Sequence, residues 1–175
     1  KKVVRLSIIS LVLFSFTSQT PQEIEQFRTN IDENKTKAKK SLDGYRYDGS
    51  KVTYFNYKGV SQKKELEVFL FNKTEYKLVF NAELVPSGIN VNVYDADKND
   101  PNRTLLSENP GVEASSFYLL SSNLNDMYAS KYKDAARLKR VFVEYEIIGN
   151  EAYVKTNKGK ISNRGAVVLA MGYEM

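Results

Sequence analysis

The chain has no cysteine, no histidine and no tryptophan among its 175 residues, and only four prolines. Without cysteine there is no disulfide framework and no lipid attachment through a thiol, so packing alone must hold the fold. Without histidine the commonest general base and the commonest transition-metal ligand are missing. Ser-His-Asp and Cys-His hydrolysis, imidazole-bound zinc and HExxH chemistry are excluded, leaving carboxylates, Lys and Tyr as the only candidate catalysts. The lack of Trp weakens a sugar-stacking platform, although twelve Tyr are present.

Charge of one sign is also scarce. Three of the 26 basic residues, Lys1, Lys2 and Arg5, precede residue 20 where no acid occurs, so the remainder carries 23 cations against 21 acids, a net of +2. Interspersed charges at that balance give no nucleic-acid footprint. The basic end of Lys35 to Lys40 suits the C-terminus of a helix.

One apolar run is present. Lys1, Lys2 and Arg5 lead into Leu6 to Phe16, followed by Thr17-Ser18-Gln19-Thr20. That is the anatomy of a secretory signal peptide, placed here at residues 1–19. The run is about ten residues, roughly half of what spans a bilayer as a helix, so no stable membrane insertion is expected after the leader is removed. The predicted location is the periplasm, the outer membrane or the cell surface.

After the leader, Thr20-Pro21-Gln22-Glu23 reads as a capping box with proline at the first helical position. Ile24, Phe27, Ile31, Ala38 and Leu42 fall on one side of a helix that Asp43-Gly44 ends, giving an N-terminal helical segment over 20–44. From Tyr45 the period changes to two, which places a β domain over 45–175. Strands are predicted at Val52–Tyr57, Glu65–Phe71, Tyr76–Leu84, Ile89–Val93, Arg103–Leu106, Ser116–Leu120, Val141–Ile147, Ala152–Lys155 and Val167–Met171. Leu78, Phe80, Val91, Val93, Val143 and Tyr145 are the expected core. Eight or nine strands without βαβ periodicity argue for two antiparallel sheets face to face, a mostly β sandwich preceded by one helix. Ser122 to Lys139 interrupts the rhythm as a helical excursion or a long loop.

Candidate sites are few. Asp95, Asp97 and Asn99 have the spacing that opens a calcium loop, but Asp100 stands where Gly belongs and Leu106 where the bidentate Glu belongs. Turn chemistry explains the same residues, so no cofactor is expected and calcium is the one alternative. Tyr45, Tyr47, Tyr54 and Tyr57 cluster at the first strand and would serve either a glycan or ordinary cross-strand packing. Glu65, Glu67, Glu144 and Glu146 fall on outward positions, where a solvated face is expected rather than a glycosidase pair. The partner-binding residues predicted are Ile24, Phe27 and Ile31 on the helix and Met127, Tyr128 and Tyr132 on the excursion, since a sandwich can close its core without either segment.

Four short stretches carry a family likeness: Gly44-Tyr45-Arg46-Tyr47-Asp48-Gly49, Glu75 to Leu78, Val91 to Asp95 and Arg140 to Ile147. With the leader in front, the chain resembles small exported envelope proteins of flavobacterial type, a group of uncharacterised function. The resemblance implies a jelly-roll or pre-peptidase C-terminal type sandwich and supplies no catalytic residues. Members carry cysteines near the third and closing strands, where this chain has Phe80-Asn81-Ala82 and Gly165-Ala166-Val167. The reading is therefore a non-enzymatic exported envelope protein, an interaction or accessory module whose partner is another envelope protein. The alternative is a carbohydrate-binding or calcium-dependent adhesive β-sandwich module.

Overall fold

The structure, a computed structural model, describes residues 20–71, 74–133 and 136–174. The predicted signal peptide at 1–19 lies outside the described residues. Helix α1 (Pro21–Lys40) starts on the expected cap: Thr20 Oγ1 accepts from the Glu23 amide at 3.2 Å, and Glu23 Oε2 accepts from the Thr20 amide at 2.8 Å. Lys37, Lys39 and Lys40 in the last turn complement the helix dipole.

Eight strands follow: β1 (Arg46–Asn56), β2 (Gln62–Phe69), β3 (Tyr76–Leu84), β4 (Ile89–Tyr94), β5 (Leu105–Val112), β6 (Ser116–Leu120), β7 (Arg140–Ile147) and β8 (Arg164–Tyr173). They form two four-stranded sheets, ordered β1-β8-β3-β6 and β2-β7-β4-β5, with every pair antiparallel. First and last strands are neighbours, and each sheet alternates strands from the two halves of the chain. This is the eight-stranded jelly roll. The six residues expected in the core are all fully buried between the sheets.

Two predicted elements differ. Ala152–Lys155 lies within helix α3 (Glu151–Asn157), not in a strand; Asn150 Oδ1 accepts from the Tyr153 amide at 2.9 Å and caps it, while the Tyr153 ring packs on Tyr57 with centroids 5.0 Å apart. The β-branched Val154 and Thr156 imitate a strand, but the local cap decides. The strand predicted at Arg103–Leu106 starts only at Leu105, as the longer edge strand β5, which continues through Pro110; an edge strand tolerates the missing N–H. The excursion after β6 opens with helix α2 (Ser121–Lys131).

Helix α1 lies on the outer face of the first sheet. Ala38 and Leu42 pack on Val79 of β3 and on Val168 and Ala170 of β8, beside Val52 and Tyr45, making a second small core. Gly172 permits the approach: a Cβ there would sit 3.0 Å from Leu42 Cδ2. Burial of Ile31, Ala38 and Leu42 is worth about 4–6 kcal/mol. The stripe that the sequence left without a partner thus covers its own sheet through its C-terminal half.

Candidate ligand-binding cleft

Contact between α1 and the sheet tightens toward the helix C-terminus: Ile24 and Phe27 are half-buried, whereas Ile31, Asn34 and Ala38 are buried. Under the N-terminal half two cavities remain, about 290 and 460 Å³, and Phe27 and Arg164 line both. The smaller has apolar walls from Leu84, Pro86 and Ile161, with Gln26 and Asn30 on the helix side and two carboxylates at its margin, Glu23, bonded to the Thr20 cap, and Glu83, paired with Lys37. The larger is lined by Tyr54, Asn56, Lys58, Gln62, Lys64 and Gly165.

Strand register explains the assembly. Arg164 opposes Asn56 and Ala166 opposes Tyr54 across β1 and β8. Period two then puts Tyr54, Asn56 and Arg164 on the same outward face as Val168 and Ala170, where α1 rests. Lys58 arrives from the connection after β1, and Gln62 and Lys64 from the start of β2, the edge strand of the other sheet. Gly165 is required on the inward side, since a Cβ would stand 2.3 Å from the Phe55 ring.

The larger cavity gathers charge of one sign. Among the described residues Lys58, Lys64 and Arg164 form no salt bridge, and no carboxylate lines the larger cavity. Tyr54 stands 53 % exposed. Three cations thus stand beside two aromatic side chains and two amides around one cavity, an arrangement whose field is positive.

The outer face of the second sheet is the other concentration of charge, and here the expected solvated face is corrected. Glu65, Glu67, Glu144 and Glu146 do point outward, but Glu144 is only 1 % exposed. Arg103 donates to Glu144 at 2.7 Å and to Glu65 at 2.9 Å, and its guanidinium lies 3.7 Å from the Tyr94 ring centroid. Lys63 donates to the other Glu144 oxygen at 2.9 Å. Burial works to raise the Glu144 pKa, but the bonds from Arg103 and Lys63 outweigh it and hold the carboxyl below its ordinary range. A general acid needs the opposite shift, so this pairing supports no glycosidase chemistry. The network closes over the face and also occupies the Tyr94 ring. Asn92 Oδ1, beneath it, is buried with no hydrogen-bond partner among the described residues.

The remaining sequence candidates separate. Asp95 Oδ1 accepts from the Thr104 amide at 2.6 Å, and Asp97 Oδ1 from the Asn99 amide at 2.7 Å, so these side chains and Asn99 shape their own turn. Among the described residues no group of three or more acidic side chains is placed to hold a metal. Met127 and Tyr132 are exposed on the excursion, while Tyr128 packs against the core; Tyr132 Oη lies 2.6 Å from Thr104 Oγ1. Of the helix trio, Phe27 reaches the cleft, Ile31 is buried on the sheet and Ile24 is half-buried above it. Lys58, Lys64, Asn56, Gln62 and Arg164 were missed by sequence reasoning. Outward parity of Tyr54 and Asn56 was a usable signal, but the approach of Arg164 follows only from the β1–β8 pairing.

No family model matches the chain, and no curated protein matches it. A solved structure described as "CBM4 structure and function" aligns over 78 % of this chain and 83 % of that one, at 12 % identity and a TM-score of 0.39. Among the described residues no helix is long and apolar enough to cross a membrane.

Proposed function

We propose that this chain is a non-catalytic jelly-roll binding module of an exported envelope protein, and that the cleft between α1 and the first sheet is its binding site. The observation that carries the reading is the unpaired set Lys58, Lys64 and Arg164 around a cavity of about 460 Å³ that Phe27 and Tyr54 flank. What sets the cleft apart is that its larger cavity is lined by three cations and no acid, whereas Lys63, Arg103 and Arg140 on the second sheet each face a carboxylate. Like charges gathered without counter-charge disfavour the free protein and favour a bound anion. The leader at 1–19 supports export, and the missing His and Cys leave the module little catalytic equipment.

The test is retention from an envelope extract on the immobilised purified protein, with the Phe27→Ala/Arg164→Ala double variant alongside. The wild-type chain should retain a component that the double variant releases. Equal retention by both overturns the assignment of the cleft.

A further inference from the structure

The cleft also carries information about ligand class. We infer that it takes an acidic polysaccharide, with uronate carboxylates on Arg164, Lys58 and Lys64 and a sugar face against Tyr54. This rests on the cleft being the binding site of the module.

Four features point to that class. First, the cations come from separate elements: Lys58 follows β1, Lys64 lies in β2 and Arg164 opens β8. They thus surround the cavity from several sides instead of forming a stripe along one helix or strand. A run of acid-bearing units meets such a set better than one compact anion, and nucleic acid requires a longer basic track. Second, the exposed Tyr54 and the half-buried Phe27 offer rings to the C–H faces of a sugar. Third, Asn56 and Gln62 supply amide donors and acceptors of the kind hydroxyl groups need. Fourth, Phe27 and Arg164 line both cavities, so the site continues past one sugar unit into the space bounded by Leu84, Pro86 and Ile161. A chain can lie through it with its charged units confined to the larger part, because Glu23 and Glu83 beside the smaller part repel a carboxylate and leave it to an uncharged sugar face.

The experiment is titration calorimetry of the purified protein with a galacturonic acid hexamer and with a neutral glucose hexamer. Inositol hexakisphosphate serves as a compact polyanion. The acidic hexamer should bind, and binding should weaken as salt rises. Arg164→Gln should reduce affinity about tenfold, as should Lys58→Gln/Lys64→Gln, since a charge-assisted bond contributes that order of free energy. These side chains are exposed or half-exposed, and unchanged melting temperatures confirm that both variants fold. Binding of the neutral hexamer with equal affinity, lost in Phe27→Ala and insensitive to salt, overturns the acidic class while leaving the cleft as the binding site. Equal or tighter binding of inositol hexakisphosphate overturns the polysaccharide. Acidic-hexamer binding that both charge variants retain at full strength overturns the cleft and the inference together, and so does absence of binding to all three probes.

Discussion

Arg103 reaches from the loop before β5 to within 2.7 Å of Glu144, whose carboxylate lies on the outward side of β7 and is nevertheless shut off from water. The pair joins a loop to β7, and Lys63 and Glu65 bring β2 into the same network. An ion pair of this kind is costly to break from one side, because the remaining partner stays buried without a counter-charge.

Glu144→Lys is accordingly expected to destabilise the fold by about 3–5 kcal/mol, since it sets a third cation against Arg103 and Lys63. Alternation alone predicts a mild effect for an outward residue. Urea unfolding of the variant decides between the two.

Acid should act through the same group. The folded-state pKa of Glu144 lies below its ordinary value of 4.5, so its contribution is complete above that value and is lost as pH falls through the folded pKa. Glu75, held low by bonds from Ser122 and Tyr45, and Glu83, held low by Lys37, act in the same direction. Stability should therefore decline below about pH 4.5, and Glu144→Gln should flatten that decline. Melting temperatures from pH 3 to 7 measure both slopes.

At the seam between α1 and its sheet, Ala38 is buried against β-strand side chains. Ala38→Asp places an unpaired carboxylate there and should cost about 3 kcal/mol, or roughly 6–12 °C in melting temperature. If the helix were a free arm for a partner, the substitution would leave the melting temperature unchanged.

Gly165 and Phe55 should behave as a coupled pair. Gly165→Ala drives a methyl into the Phe55 ring and should cost about 1–3 kcal/mol, while Phe55→Leu in the same chain should recover part of the loss. Additive losses in a double-mutant cycle would show that the two do not collide.

What could be read from the sequence follows the range of the interactions. The capping box at Thr20 and Glu23 is local and fixed the helix start. Alternation of Val91 and Val93 with Asn90 and Asn92, and of Val143 and Tyr145 with Glu144 and Glu146, identified both the strands and their inward faces. Alternation states which side a residue takes but not what covers that side, which is why Glu144 was expected in solvent. α3 was misread because the Asn150 cap outweighs the strand preference of Val154 and Thr156. The cleft was least legible. Phe27 was singled out for its apolar stripe, yet Arg164 joins it only after β8 closes the sheet beside β1.

The most direct measurement is amide chemical-shift mapping of the labelled protein titrated with the galacturonic acid hexamer. Shifts should concentrate at Phe27, Tyr54, Asn56, Lys58, Lys64, Arg164 and Gly165, with β4 and β7 of the second sheet undisturbed. Shifts centred instead on Asn90, Asn92, Tyr94 and Glu144, with the cleft silent, would contradict the cleft assignment.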